Sequence, residues 1–447
     1  MIITTTDCIL VSSLSSNGKR VLQVDANQFY GESESSLSPA ELSKSDISGI
    51  DTVDLIPSGA ESDKKPSQDL TLHPHFSIDV SVPFVFLGRS QSVDELVRHQ
   101  VSKYLNFMSV KEVRVSICSS GDVWTIPTDR SRIFSDKNLK LTEKRGLMTL
   151  FKSAAQSQSS SVHSTALVGG ESQSSEPSSP SPSSSLSAIT YLESHNISRR
   201  EIVLGIIHGV CMYPLPANTM KATHMMERIR LFVSSLDAYE AGCPFLIPTY
   251  GNGDIPQSFA RMAAVHGATQ ILGCSLDTIR HELDEGNYVL VDNLTKHLEN
   301  VTTILHGVSA SLLRENDPLN ISLDIFMESD DPSVHPIFCI TIPHPESGQV
   351  RPGVCPPGTC LRHYVRIVSD EDRDKETLTQ FMSTDDAIIF KRLFIERSFN
   401  RHFDDFFGIE SHINRATRSF NELMGREQSE QLPVAPPPTN PFEETTD

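Results

Sequence analysis

The sequence predicts a mixed α/β fold of the α+β kind, a larger sheet domain interrupted along the chain by a smaller all-α domain. Three observations carry that expectation. A turn at Asn17-Gly18 leads into a short buried strand, Val21 to Val24, closed by Asp25 and followed by a glycine-centred loop, as in one strand of a βαβ unit. Alternating apolar residues at Val110 to Ile117 and Val123 to Ile126 are joined by Ser-Ser-Gly-Asp, which reads as a β-hairpin. From Met220 to Tyr239, the residues Met225, Met226, Ile229, Phe232, Val233 and Leu236 recur at i, i+3/i+4, i+7, the stripe of an amphipathic helix of about five turns.

The remaining elements follow in chain order. Asp7 to Ser16 has helical character and stands where the crossover helix of the βαβ unit belongs. The stretch before it, Ile2 to Thr6, lacks a first strand and lacks the glycine turn that brings a pyrophosphate to a helix N-terminus. Gly59 to Pro74 reads as a polar loop, FSIDVSVPFVFLG as extended apolar chain, and Val93 to Leu105 as a helix. A helix from Leu141 to Lys152 runs into a segment, Ser153 to Ala188, so rich in serine and proline that burial cannot offset its ordering entropy. Helices resume at Ser187 to Asn196 and Ser198 to Met212. A Gly/Pro-rich loop, GCPFLIPTYGNGDIPQ, precedes a helix at Ser258 to His266. Strand patterns at Ile304 to Arg314, Ile321 to Met327 and Ile337 to Ile342 are followed by a polar helix near Asp370 to Met382. Helical periodicity covers Ala387 to Met424, and Phe399, Phe403, Phe406 and Phe407 share one face of it. The resulting division is a sheet domain in two parts, residues 1–136 and 241–430, a helical domain at 137–240 with a disordered insertion at 153–188, and an acidic proline-rich tail at 431–447.

Composition narrows the function. The chain of 447 residues has 38 Lys and Arg against 57 Asp and Glu, a formal charge of −19. Such a surface repels phosphate backbones, so nucleic acid is not an expected partner. No apolar run reaches the ~18 residues of a spanning helix, and the N-terminus lacks the basic region of a secretory signal, so the expected compartment is the cytosol. The 8 cysteines are scattered, and only Cys355 and Cys360 lie close together, without the histidine spacing of a metal site. Reduced thiols and no metal are expected. The last residues, Thr-Thr-Asp, have no neighbouring cysteine to prenylate.

Two separated blocks carry a family resemblance. MMERIRLFVSSLDAYEAGCPFLIPTYGNGDIPQSFARMAAVHGATQIL, within Asn218 to Leu272, resembles the signature region shared by Rab GDP-dissociation inhibitors and Rab escort proteins. NGKRVLQVDANQFYGESESSL near the N-terminus, followed by DLIP at Asp54 to Pro57, resembles the same superfamily in the same order. PHFSIDVSV, SKYLNFMSV, VWTIPTDRSRIFSDKNLKLTEKRGLM and the proline-rich PPPTNPFEE are similar to escort segments. The resemblance implies a sheet domain like that of FAD/NAD(P)-binding proteins, degenerate here because the glycine turn is absent, plus the small helical domain.

It also implies residues and partners. The Rab-binding positions match Tyr30, Asp254, Arg261, Thr269 and Ile271, with Asp254 where the family usually has Glu and Ile271 where the inhibitors have Met. A planar arginine with five donors, a short carboxylate and a tyrosine suit the polar switch regions of a GTPase. An internal Asp254–Arg261 ion pair is the competing structural reading. The helical domain is where the family holds a prenyl chain, and the candidate wall residues are Leu147, Leu150, Ile202, Ile206, Val210, Met225, Met226 and Ile229. Burying a twenty-carbon lipid there is favoured by ~0.8 kcal/mol per CH₂, and an ordinary helix core is the plainer role for each of them. The escort contact with the prenyltransferase uses a Phe where this chain has Gly205.

The implied partners are therefore GDP-bound Rab small GTPases, the Rab geranylgeranyltransferase and the geranylgeranyl lipid of the bound Rab. The expected function is that of a non-catalytic escort, component A of the transferase complex, which presents Rabs for geranylgeranylation and delivers them to membranes. A GDP-dissociation inhibitor that recycles prenylated Rabs is the alternative. A flavin-dependent oxidoreductase is a remote second class, and it requires a glycine turn that the sequence lacks, so no cofactor is expected. No Ser-His-Asp, Cys-His or paired-carboxylate constellation stands out, and His208, His224 and His266 read as packed structural residues.

Overall fold

The computed structural model describes residues 4–42, 44, 47, 50–55, 76–128, 130–156, 186–236, 238–239, 243–275, 302–313, 320–344, 353–383, 388–398, 406–427 and 430–433. The expected loop at 59–74, most of the Ser/Pro-rich insertion, Phe399, Phe403 and the last fourteen residues of the acidic tail lie outside them.

In chain order the helices are α1 (Thr5–Ser16), α2 (Pro39–Leu42), α3 (Gln91–Arg98), α4 (Arg130–Ser135), α5 (Leu141–Gln156), α6 (Ala188–Ser194), α7 (Arg200–Leu204), α8 (Ala222–Ser235), α9 (Asp254–Val265), α10 (Glu371–Met382) and α11 (Glu410–Met424). A small parallel pair is formed by β1 (Leu22–Val24), and its partner near residue 270 is given with the site below. Two further small sheets use β2 (Ser36–Leu37) with β4 (Ile78–Asp79), and β5 (Phe86–Leu87) and β6 (Phe107–Ser109) on either side of β9 (Phe245–Pro248).

Among the described residues the main sheet has eight strands. They are β3 (Ile50–Leu55), β7 (Glu112–Ile117), β8 (Asp122–Thr125), β11 (Thr302–Leu312), β12 (Ser322–Met327), β13 (Ile337–Pro343), β14 (Thr359–Ile367) and β15 (Ile388–Ser398). Their order is β3-β15-β11-β14-β13-β12-β7-β8. Every neighbour is antiparallel except β12 and β7, so the one parallel junction joins the N-terminal hairpin to the C-terminal meander.

Each face of that sheet has its own cover. On one side Ile304, Val308, Phe338, Ile340, Val365 and Phe394 merge with Leu147, Ile202 and Met225 of the helices into one continuous apolar core. The helical elements therefore share their core with the sheet. On the other side Leu305, Cys339 and Leu393 meet Leu378 and Met382 of α10. A Cβ on Gly307 would come within 2.4 Å of the Met382 sulfur, so that strand must be bare where the helix crosses it. Arg366, 3% exposed, bridges Glu328 at 2.8 Å and Asp374 at 2.9 Å and fixes the start of α10 to the sheet.

A separate core forms around α1, α9 and α11 with Phe84, Phe86 and Phe259. α1 can be buried despite its many hydroxyls because Ser13 and Ser15 donate to the Ile9 and Val11 carbonyls at 3.0 and 2.8 Å.

Several sequence expectations need correction. The helix expected over Ala387 to Met424 is the strand β15 followed by the separate helix α11, because β15 is hydrogen-bonded along both edges, to β11 and to β3. Phe406 and Phe407 consequently lie in the connection before α11 and not on a helical face; they are buried and stack edge to face, 4.9 Å between centroids. The Gly/Pro-rich loop contains the strand β9, and its helix starts at Asp254 rather than Ser258. The helix from Val93 is replaced after Arg98 by a short 3₁₀ turn, since Gln100 turns left-handed at φ +58°. Ser153 to Gln156, expected within the insertion, form the last turn of α5, with Ala154 buried. β14 has no counterpart in the sequence reading, although it lies at the middle of the sheet.

Candidate functional site

The site is built around α9 and the loop that enters it, Tyr250 to Asp254. Gly251 sits at φ +92°, and a Cβ there would lie 2.5 Å from Asp79 Oδ1 and 2.6 Å from Ser36 Oγ, so only glycine fits. Asp79 Oδ1 accepts hydrogen bonds from Ser36 Oγ (2.6 Å) and Asn252 N (2.8 Å), and Ser36 Oγ accepts from Gly253 N (2.8 Å). Asn252 is fully buried; its Oδ1 accepts from Phe84 N at 2.7 Å and its Nδ2 donates to the Val82 carbonyl at 2.9 Å. These contacts fix where α9 begins.

The tyrosine loop rests on the first turn of α9. Gly31 turns at φ +94°, and its Cβ would stand 2.6 Å from Pro256 Cγ, which leaves room for no other residue. Tyr30 is thereby held at the helix, half-buried, with its hydroxyl donating to Gln270 Oε1 at 3.4 Å. Gln270 belongs to β10 (Thr269–Ile271), which runs parallel to β1 with Leu22 opposite Thr269 and Val24 opposite Ile271. Gln270 Nε2 in turn donates to Gln23 Oε1 at 2.9 Å. Arg261 is exposed, with its guanidinium 4.4 Å from the centre of the Tyr104 ring. Val265 follows one turn later at 52% exposure and Leu22 is 40% exposed.

Of the five residues expected to bind a partner, Asp254 opens α9 and Arg261 is exposed further along it, Tyr30 is joined to β10 through Gln270, and Thr269 and Ile271 flank Gln270 on that strand. The internal Asp254–Arg261 ion pair does not form among the described residues, since seven helical positions span about 10 Å and Arg261 stacks on Tyr104 instead. The region combines an aromatic, an exposed cation, a carboxylate and apolar side chains, the composition of a protein-docking face.

Tyr104, Gln270, Asn252, Ser36 and Asp79 were not singled out as site residues in the sequence reading. Only Asp79 left a signal, as a lone carboxylate inside the apolar run FSIDVSV.

Burial raises the carboxyl of Asp79 to about 6 and that of Asp254 to about 6, while burial and the neighbouring carboxylates of Glu34, Asp25 and Asp7 raise Glu32 to about 8. A carboxyl raised in the folded state holds its proton where the unfolded chain has released it, so its contribution to stability falls as pH rises from about 4 to the folded value. His208, lowered by burial to about 4, works in the opposite sense. The difference between wild type and Asp79→Asn isolates the first effect. The variant keeps an acceptor oxygen and should gain stability relative to wild type as pH rises from 4 to 7. Denaturation midpoints measured across that range check it, and a difference independent of pH would show that Asp79 is not protonated in the fold.

A dinucleotide does not fit the residues around α1. The helix N-terminus, where a pyrophosphate would lie, is closed by Thr4 and Asp7, with Asp7 Oδ2 accepting from both Thr4 N and Thr4 Oγ1 at 2.8 Å. Glu34 lies against Thr5 at 3.3 Å and Asp25 receives Asn27 N at 2.8 Å. Three threonines replace the glycine turn, and phosphates would face these carboxylates at close range.

The eight residues expected to line a lipid site are all buried in the core shared by the helices and the main sheet, with Met226 at 7% exposure and the others at 0%. Leu147 and Leu150 come from α5, Ile202 from α7, and Met225, Met226 and Ile229 from α8. Ile206 and Val210 come from a single wide helical turn, Gly205 to Val210, that continues α7. That turn reaches the β7–β8 hairpin through two glycines. A Cβ on Gly205 would lie 2.3 Å from the Trp124 ring, and one on Gly209 would lie 2.0 Å from Ile126 Cδ1. Position 205 is therefore an internal contact, fully buried, and no side chain there reaches a partner.

The family model described as GDP dissociation inhibitor matches residues 2–166 and 201–305. Rab escort protein 1 of Arabidopsis thaliana is 26% identical over 318 residues, covering 63% of this chain and 54% of that protein, so the match spans about half the length of this relative. The Drosophila melanogaster protein named Rab proteins geranylgeranyltransferase component A is 24% identical over 427 residues, 87% of this chain and 78% of the other. Among solved structures, that of Rab GDI from Plasmodium falciparum superposes with a TM-score of 0.63 at 17% identity, over 95% of this chain and 97% of that one, which establishes the likeness of fold.

Proposed function

This chain belongs to the GDP dissociation inhibitor family, and on that premise we propose that it is a Rab escort protein, a binding protein without a reaction of its own. A GDP-bound Rab GTPase docks on the face formed by Tyr30, Asp254, Arg261, Thr269 and Ile271, with Tyr104 supporting the arginine. The escort presents the Rab C-terminus to the Rab geranylgeranyltransferase in the cytosol, shields the geranylgeranyl chain in the helical region, and releases the product at membranes. The observation that supports this reading is the packing of the Tyr30 loop on the first turn of α9 through Gly31 and Pro256, and its link to β10 through Gln270, on the helix that carries the exposed Arg261. The similarity to Rab escort protein 1 and to the component A protein supports the escort, and the match to the family model described as GDP dissociation inhibitor supports the inhibitor as the second reading.

The test is a pull-down with GDP-loaded Rab in prenylated and unprenylated forms. An escort binds both, whereas an inhibitor retains only the prenylated form. Arg261→Ala should weaken Rab binding by about 1–3 kcal/mol, as for an interface arginine, and leave the melting temperature nearly unchanged, since the exposed stacking on Tyr104 contributes only about 0.5–1 kcal/mol. Unaltered affinity for either form of Rab would remove Arg261 from the interface.

A further inference from the structure

The helical region carries a patch whose charge is opposite to that of the molecule. Between residues 131 and 145 the surface presents Arg132, Lys137, Lys140, Lys144 and Arg145, on a chain whose formal charge is −19. Of the two acids of that stretch only Asp136 is near the surface, one carboxylate against five cations. Glu143 is buried, its Oε1 3.0 Å from Arg199 Nε and its Oε2 accepting from Lys140 N at 2.7 Å. Asp136 accepts from Asn138 N at 2.8 Å within its own turn.

Amid these cations stand Phe134 and Leu141, each 62% exposed and the most exposed large apolar side chains among the described residues. They belong together: Lys144 Nζ donates to the Phe134 carbonyl at 2.7 Å, and Leu141 lies one turn before Lys144 on the same side of α5. Ile133 and Leu139 beneath them are buried, so the segment is fixed in place and the two exposed side chains are surplus to its core.

We infer that this junction of α4 and α5 is a docking site for an anionic lipid surface. Phe134 and Leu141 enter the headgroup boundary, and the surrounding lysines and arginines meet the lipid phosphates and carboxylates. The charge pattern commits the site to that occupant: the acidic remainder of the molecule is repelled by an anionic membrane, so the attraction is confined to this patch and sets the orientation of approach. With two apolar anchors and no acyl chain the contact is weak and reversible, and it is screened by salt.

Flotation of the full chain with vesicles tests this directly, and because the assay contains no GTPase, its result is independent of the Rab reading. Vesicles of phosphatidylcholine with about one-third phosphatidylserine should take up at least ~10-fold more protein than phosphatidylcholine alone at low salt, with the preference lost at high salt. Phe134→Ser with Leu141→Ser should lower that uptake ~10-fold, and Lys137→Glu with Lys140→Glu should abolish the preference for the anionic lipid. All four positions are exposed, so melting temperatures matching wild type are expected and are measured alongside. Equal uptake by both kinds of vesicle, no uptake by either, or uptake unchanged in both variants would overturn the inference. Absence from vesicles together with binding to an acidic protein would assign the patch to that partner instead.

Discussion

Replacing Gly205 by phenylalanine is expected to destabilise the protein by more than about 3 kcal/mol, beyond the usual cost of overpacking. The ordinary case is an added methyl or methylene in a core that shifts a few tenths of an ångström. Here even the first carbon of the side chain would come 2.3 Å from Trp124 Cε3 and 2.6 Å from Cζ3, and Gly205 is buried. Trp124 cannot yield easily, because it is 3% exposed on β8 and belongs to the core shared by the hairpin and helices. Chemical denaturation of the single variants and the double variant checks the mechanism. Trp124→Ala alone should cost about 3–5 kcal/mol as a large cavity. In the Gly205→Phe background the ring would occupy that cavity, so the two losses should fall short of their sum by more than about 1 kcal/mol. Additive losses would mean that Gly205 is required for its backbone and not for the contact. An aromatic side chain at position 205 is closed to this chain in either case.

Asn252→Ala should cost about 2–5 kcal/mol, because truncation leaves two buried backbone groups, Phe84 N and the Val82 carbonyl, without the side chain that satisfies both. The cavity is small; the loss is polar. The same change frees the loop before α9, so Rab affinity should fall together with stability, unlike in Arg261→Ala, where affinity alone falls. Denaturation and binding measured on both variants separate a residue that positions the face from one that touches the partner. Asn252→Asp is the informative control: it restores an acceptor for Phe84 N but sets an oxygen against the Val82 carbonyl, so only part of the loss should be recovered. Full stability in Asn252→Ala would show that water replaces the side chain.

Elements whose signals are local were legible from the residues alone. The capped helix α1, the β7–β8 hairpin, the stripe of α8 and the polar helix α10 are all written in short-range periodicity and turn chemistry, and each appears within a few residues of its expected place. The sequence also carried the family, because two blocks in a fixed order survive at identities near 25%. What needed the tertiary structure were the features set by partners far along the chain. Ile388 to Ser398 has apolar spacing compatible with a helix, and it becomes a strand because β11 and β3 each hydrogen-bond one of its edges. β14 took no clear pattern of its own, since a strand with both faces covered alternates little, and its histidine and arginines are compensated by neighbours: His363 Nδ1 meets His306 Nε2 at 3.0 Å, and Arg366 meets Asp374. The proposed binding face shows the same division. Tyr30 and Arg261 were legible as residues, but their proximity depends on Gly31 lying against Pro256 and on Asp79, Ser36 and Asn252 closing the loop beneath α9, contacts spanning 43 to more than 200 positions that no local pattern encodes.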